Sequence, residues 1–313
     1  MDVSKLTPDD MIVDLSSFNA VTSYAAMRVE NGAGWSKATQ GAGYRNPLFA
    51  TQAIGMLSVG MRVGAYHFPD PNVSVPANVS KFLSVAGDWV KAGCLAPLLD
   101  VENDLLNGIV WNVNNANTFV PGFIAELRRQ SGISDLGVVV YGSDSWWNAT
   151  LRPDVWGDLS HVFLMVADYN GDPGNTTFKH KRLAVHQYTD KAPTPGVAKP
   201  TDRSVIMRDN GFSLNDLIIG NKPIVQEEDD DMAVKPVLFQ AEGYGHGVWR
   251  DEFGNYVGFA SENEKKNMIA AWGSDVRLGP DNGGVWVEKL TLDELVRLSR
   301  SEEVKPAADV KES

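Results

Sequence analysis

The sequence predicts an α/β fold: an irregular TIM-like (β/α) barrel through about residue 220, followed by a small C-terminal α+β module. Three observations predict it. Short apolar runs alternate with helical patterns over the first ~220 residues, as in βα folds built on a parallel sheet. Polar and acidic residues gather at the ends of those runs. The composition then breaks sharply at 221–233.

The strand-like runs are Met11–Leu15, Gly60–His67, Leu95–Val101, Gly137–Tyr141, His161–Ala167, Leu183–Gln187 and Ser204–Met207. Between them, Ala77–Gly93 spaces Val79, Phe82, Leu83, Ala86 and Val90 mostly three or four residues apart, which is helical spacing. Asn114–Gln130 does the same with Ala116, Phe119, Val120, Phe123 and Leu127, and its Pro121 predicts a kink or a restart. Leu214–Gly220 reads as a helix that ends the domain. Asp14, His67, Glu102, Asp168 and Gln187 fall at or just beyond strand ends, where barrels of this kind carry their chemistry.

Residues 221–233 hold five consecutive acids, Glu227–Asp231, together with Pro223, and read as a solvated linker. A module at 234–300 opens with a strand at Pro236–Gln240, a Gly-rich turn and Val248-Trp249-Arg250. Asp251–Asn255 then turns into Tyr256–Phe259, a hairpin signal. Ser261-Glu262-Asn263-Glu264 is a capping box for a following helix, and a last helix is expected at Thr291–Arg300. The charged tail 301–313 reads as disordered.

Charge narrows the partners. The 313 residues carry a net charge of −12, with 17 basic and 21 acidic side chains in 1–220 and 11 and 19 in the remainder. No basic stripe exists, which argues against nucleic-acid binding. No run of 18 apolar residues exists, so no membrane span is expected. The polar, acidic start lacks the signal-peptide pattern, and the lone Cys94 forbids an intrachain disulfide, so synthesis in a reducing cytoplasm is expected. The five histidines are scattered without metal-ligand spacing, and no phosphate loop or dinucleotide fingerprint is present. Neither a metal nor a cofactor is expected.

The segment Pro97-Leu98-Leu99-Asp100-Val101-Glu102 holds the sharpest chemical signal. On a strand, residues two apart share a face with Cα atoms ~6.6 Å apart. Two acids so placed cannot easily both ionise, and one is pushed toward its protonated form. A general acid beside a stabilising carboxylate is the equipment of a glycosidase. Asp-x-Glu is common by chance, so the rest of the chain has to support it.

It does so as a series in register. Val13-Asp14-Leu15-Ser16 resembles the opening Asp-Val-Ser strand of the glycoside hydrolase family 25 muramidases, peptidoglycan-cleaving lysozymes. Lys37-Ala38-Thr39-Gln40-Gly41 with Tyr44 and Pro47 is similar to their Lys-Ala-Thr-Glu-Gly…Tyr…Pro segment. Gly64–Phe68, Leu99–Glu102, Val140-Tyr141-Gly142 with Trp146-Trp147, Ala167-Asp168-Tyr169 and His186-Gln187-Tyr188 resemble later segments in order. Thr201-Asp202-Arg203-Ser204 resembles the closing Val-Asp-x-Asn, with Asp209-Asn210 as a competing position. Four departures stand out: Gln40 for Glu, Met165 and His186 where Trp is frequent, and Ser204 for Asn.

The resemblance implies Glu102 as general acid and Asp100 as its charged partner, with Asp14 and Asp202 raising the proton affinity of Glu102. Tyr66, Tyr141, Asp168, Tyr169, Gln187 and Lys37 are candidates for substrate contact, with Lys37 equally able to pair with an acid, and His67 reads as a structural histidine rather than a base. The implied substrate is bacterial peptidoglycan, cut between N-acetylmuramic acid and N-acetylglucosamine. With no signal pattern, a phage endolysin is expected, held in the host cytoplasm until a holin releases it. The C-terminal module would then bind a cell-wall ligand. The rivals are a non-catalytic wall binder, a virion-associated lysin and a bacterial enzyme exported by another route.

Overall fold

The computed structural model describes residues 3–91 and 94–219, and four strand segments at 237–241, 247–250, 256–258 and 287–290. Two compact units divide the chain, Met1–Met56 with Gly60–Pro223, and Leu57–Val59 with Ile224–Ser313.

The first unit is a closed barrel. Its strands are β1 (Met11–Leu15), β2 (Ala33–Gln40), β4 (Arg62–Phe68), β5 (Leu98–Asp100), β6 (Val138–Ser143), β7 (Val162–Ala167), β8 (Leu183–Ala192) and β9 (Thr201–Ile206), with β3 (Tyr44–Arg45) folded back on β2. Around the barrel the order is β1-β9-β8-β7-β6-β5-β4-β2, and a β1–β2 pairing closes the ring. Every neighbouring pair in the ring is parallel except the two that involve β9. That exception has a simple cause: residues 193–200 join β8 to β9 directly, and a parallel return needs a crossover of about a dozen residues or more.

Strands covered on both faces should be apolar throughout. β6 and β7 comply, with Val138, Val139, Val140, Val162, Leu164, Met165 and Val166 all fully buried. β2 is not among the expected strands because its sequence, AGWSKATQ, has no apolar run. It is buried all the same, since its polar groups find partners inside. Ser36 Oγ donates to Gln52 Oε1 (2.7 Å), and Thr39 Oγ1 meets His67 Nδ1 (2.7 Å). Trp35 on β2 is fully buried and its Nε1 donates to the Ala96 carbonyl (3.0 Å). Gly64 on β4 lies flat against that indole, so a Cβ there would overlap the Trp35 ring. Overpacking of this kind costs about 1–3 kcal/mol. Gly64→Ala should therefore lower the melting temperature by several degrees in a thermal scan; an unchanged value would contradict the packing.

Helices α1 (Tyr24–Arg28), α2 (Phe49–Ser58), α3 (Val75–Lys91), α4 (Val113–Ser131) and α5 (Asp144–Ala149) connect the strands. α2, short and with Gly55 in its interior, is likewise absent from the expected elements. α4 runs unbroken through Pro121, correcting the expected restart. Its ends are fixed by Asn112, which accepts from the Asn114 and Asn115 N–H groups, and by Gly132 in the left-handed region (φ 76°). On either side of Pro121, Phe119, Val120, Phe123 and Leu127 are buried, so packing holds the turn that proline weakens. The expected helix at Leu214–Gly220 is only a 3₁₀ turn at Leu214–Leu217.

In the second unit, β10 (Val237–Ala241), β11 (Gly247–Arg250), β12 (Tyr256–Gly258) and β13 (Val287–Leu290) form a sheet of order β12-β11-β10-β13. β10–β11 and β11–β12 are antiparallel and coincide with the expected strand and hairpin, whereas β13, parallel to β10, is an addition to them. The linker, both expected helices of the module and the tail lie outside the described residues. No helix among the described residues is long and apolar enough to cross a membrane.

Candidate active site

The ends of the barrel strands build one cavity. Asp14 on β1 and Asp202 on β9 are cross-strand partners. Antiparallel partners lie only ~4.5–5.5 Å apart at Cα, so two acids are forced together. Asp100, the last residue of β5, pairs in register with Tyr141 on β6. Buried Val101 donates its N–H to the Tyr141 carbonyl (3.2 Å), which leaves Glu102 on the Asp100 side of the chain. The cavity, of about 120 Å³, is lined by these four acids together with Tyr66, Leu98, Tyr141, Met165, Tyr169 and Gln187.

Burial dominates the electrostatics. Asp14 is pushed up to about 8, first by desolvation and then by the Asp202 charge, against the pull of the Gln187 amide. Asp202 is pushed up to about 6 by burial and by Asp190. Asp100 is held well above the usual carboxylate range by burial and by Glu102, with Lys37 opposing. Glu102 is also raised, by burial and then by Asp202 and Asp104, again against Lys37. The expected division, a protonated Glu102 beside a charged Asp100, is therefore not what burial alone favours, because Asp100 is the more deeply enclosed of the two.

A hydrogen-bonded chain fixes Asp14. Tyr141 and Tyr169 both donate to Gln187 Oε1 (3.1 and 2.9 Å), so the amide must turn its Nε2 to Asp14 Oδ2 (3.0 Å). Asp14 Oδ1 and Asp100 Oδ1 are buried with no protein partner. All three cavity tyrosines are raised by burial and remain neutral phenols.

These shifts fix the sign of one pH effect. A carboxyl that holds its proton longer in the folded state than in the unfolded chain makes stability fall as pH rises. For Asp14 the window runs from about 4 to about 8. Each such group contributes a slope of at most about 1.4 kcal/mol per pH unit. The melting temperature should fall from pH 5 to pH 8, and Asp14→Asn should flatten that profile. Parallel profiles for the two proteins would refute the buried, protonated Asp14.

Of the residues expected to contact substrate, Tyr66, Tyr141, Tyr169 and Gln187 line the cavity with the four acids. Asp168 is not among the residues that line it. Side chains alternate along β7 and its extension, so Met165 and Tyr169 face the cavity while Asp168 turns away. Its carboxylate accepts the Thr177 N–H (3.2 Å), and its carbonyl meets His186 Nε2 (2.9 Å). His186 Nδ1 accepts from Gly174 N–H, so Nε2 carries the proton and donates. This buried imidazole, where the family often has Trp, pins the 168–182 loop. Lys37 lies outside the acid-lined cavity, in an adjoining open groove that shares Tyr66, Asp100 and Glu102 with it. His67 is structural: it is buried between Thr39 and Asn78 (3.1 Å), and burial lowers it to about 4. Asp209, the competing position, sits in a 3₁₀ turn beyond β9 and away from the cavity lining.

Sequence reasoning missed the groove. Phe18, Leu105 and Leu106 are exposed at 79%, 75% and 99% and line it with Tyr44, Gln40 and Asp104. Only the turn chemistry of Asn103-Asp104…Asn107-Gly108 signalled an ordered loop there.

The family model of glycosyl hydrolases family 25 matches residues 13–197, which is more than half of the chain. Lysozyme M1 of Streptomyces globisporus is 29% identical over 116 residues, 36% of this chain and 38% of that protein, so the chain spans well under half of this relative's length. Among solved structures, the muramidase from Acremonium alcalophilum is 25% identical at a TM-score of 0.51, over 63% of this chain and 92% of that one. The catalytic domain of the endolysin ply40, from a Listeria monocytogenes bacteriophage, is 23% identical at 0.52, over 66% and 97%. A barrel closed by one reversed strand, acids at the ends of β1, β5 and β9, and a matching segment that spans most of the barrel lead to one assignment: the chain belongs to glycosyl hydrolases family 25.

Proposed function

We propose that this protein is a muramidase that hydrolyses the β-1,4 bond between N-acetylmuramic acid and N-acetylglucosamine in bacterial peptidoglycan. One observation carries the reading: four carboxyls from three strand ends share a single cavity, each with its proton affinity raised. Glu102 protonates the glycosidic oxygen. It is less enclosed than Asp100, so it can regain a proton from solvent between turnovers. Asp100 sits where positive charge develops on the sugar. That charge lowers its proton affinity, its proton passes to solvent water, and the resulting carboxylate stabilises the charge or holds the substrate's N-acetyl group. Asp202, raised only to about 6, keeps the surrounding field negative, while Asp14, oriented by Gln187, holds its proton. The similarity to a lysozyme and a muramidase supports the substrate.

Mass spectrometry of the fragments released from purified walls tests the reaction. New reducing ends on muramic acid are expected. Glucosamine ends or cleaved peptides would overturn it, and intact walls that still bind the protein would leave the non-catalytic binder.

The proposed setting is phage-induced lysis, with the enzyme held in the host cytoplasm, released through holin pores, and its C-terminal module on a wall ligand. The fold of the phage endolysin domain and the single cysteine support this. Proteomics of purified particles should not find the chain; its presence there would make it a virion-associated lysin.

A further inference from the structure

Glu102 leads into a loop that is unusually well tied. Asp104 and Ile109 bridge each other through two backbone bonds (3.0 and 2.9 Å). Asp104 caps the turn between them, its Oδ1 accepting the Asn107 N–H (3.2 Å) and its Oδ2 the Asn107 amide (2.6 Å). Gly108 turns the chain in the left-handed region (φ 70°), and Asn72 Nδ2 holds its carbonyl (3.0 Å). One further bond ties this loop to the barrel wall: Gln40 Nε2, at the end of β2, donates to Asp104 Oδ2 (2.9 Å). The same amide accepts at its oxygen from Lys37 Nζ (2.7 Å).

The amide is thus used at both ends, with its oxygen toward a cation and its N–H₂ toward an anion. Only a neutral group with one donor and one acceptor end can do this. A carboxylate at position 40 would keep the lysine, lose the donor to Asp104, and set two negative charges face to face. It would also give Lys37 a direct ion partner. As it stands, the Lys37 ammonium sits 4.6 Å from the Phe68 ring centroid and bonds a neutral oxygen. Its charge therefore acts on Asp100 and Glu102, and on Asp104 beside them, with no carboxylate bonded to it.

We propose that Gln40 is a positioning residue for the Glu102 carboxyl, a neutral coupler that latches the Glu102 loop to β2 through Asp104 and leaves the Lys37 charge free to act on the acids. This rests on Glu102 as the proton donor. The charged and titratable groups that face Glu102 are Lys37, Asp100, Asp104 and Asp202, with Tyr66, Tyr141 and Tyr169 around them. A negative charge added near them raises the proton affinity of Glu102; one removed lowers it. An acid that must be protonated to act is lost as pH rises through its pKa. Each charge change therefore moves the alkaline limb of activity in a known direction.

The test is a swap. Gln40→Glu should lower kcat about tenfold, as for a displaced catalytic group. It should also move the alkaline limb of kcat/KM upward by about half a pH unit or more, and lower the melting temperature by about 2–4 °C. Asp104→Asn keeps one acceptor oxygen for Gln40 but sets its N–H₂ against the Asn107 N–H, so it should loosen the turn, lower kcat by a few-fold and move the limb downward. The double variant Q40E/D104N reverses the polarity of the bond, with the amide now at position 104 and donating to a carboxylate at position 40. It should recover kcat, melting temperature and the parental limb together. Opposite limb shifts in the single variants and their cancellation in the swap are readouts that a merely structural bond does not produce.

A double variant no better than Gln40→Glu alone, or a Gln40→Glu protein with parental kcat and pH profile, overturns the latch. If the parent itself releases no reducing ends, the muramidase reading fails instead. The melting temperatures of the four proteins then decide the latch by themselves: recovery in the swap upholds it, and additive losses overturn it.

Discussion

Glu102→Gln should reduce the release of reducing ends from purified walls by about 10²–10⁴-fold, the usual range for loss of a positioned general acid. The amide has nearly the same shape but no proton to give. Glu102 lies beyond the last residue of β5 and is only partly enclosed, so the fold should not suffer. Removing an acid whose proton affinity is raised by burial even relieves a small electrostatic cost. The variant should melt at or slightly above the parental temperature and still sediment with walls. Residual activity near the parental level would move the proton donor elsewhere in the cavity, with Asp100 the first candidate. Loss of wall binding together with activity would point to a substrate-holding role instead.

Asp100→Asn should give the second large effect, and with a split readout. This carboxyl is 9% exposed, has one oxygen without a protein partner, and is pushed up by burial and three neighbouring acids. Buried charge of this kind is costly to the folded state. The asparagine should raise the melting temperature, more at pH 8 than at pH 5, because the folded acid holds a proton that the unfolded chain has already released, so only the parent loses stability as pH rises. Catalysis should fall about 10²–10³-fold, since no negative charge can then form opposite the developing positive charge. Stability gained while activity is lost is the pattern of a site strained for function. An Asp100→Asn protein that is both less stable and fully active would contradict both parts of the argument.

Much of the barrel is legible in the sequence where apolar runs mark strands buried on both faces. The run Met11–Leu15 matches β1 to the residue, and those for β6 and β7 match to within two residues at each end. β2 is not legible in this way, because Ser36, Lys37 and Thr39 break the apolar run, and its burial depends on hydrogen bonds to Gln52 and His67 from other elements. The same limit hides where Asp168 points. Its neighbours in sequence are site residues, yet strand alternation and the His186 contact turn it toward its own loop. Pro121 fails as a breaker because the helix on either side of it is anchored in the core.

The sequence by itself determined the α/β class, because strand periodicity is a local property, and its motifs carried the family resemblance that implied the acids at positions 14, 100, 102 and 202. Only the tertiary structure decided which groups face those acids. Gln187, held by two tyrosines, reaches Asp14 across 173 residues, and Gln40 reaches Asp104 across 64. Burial, which sets the proton affinity of every acid in the cavity, arises only when the ring of strands closes and water is excluded from its mouth.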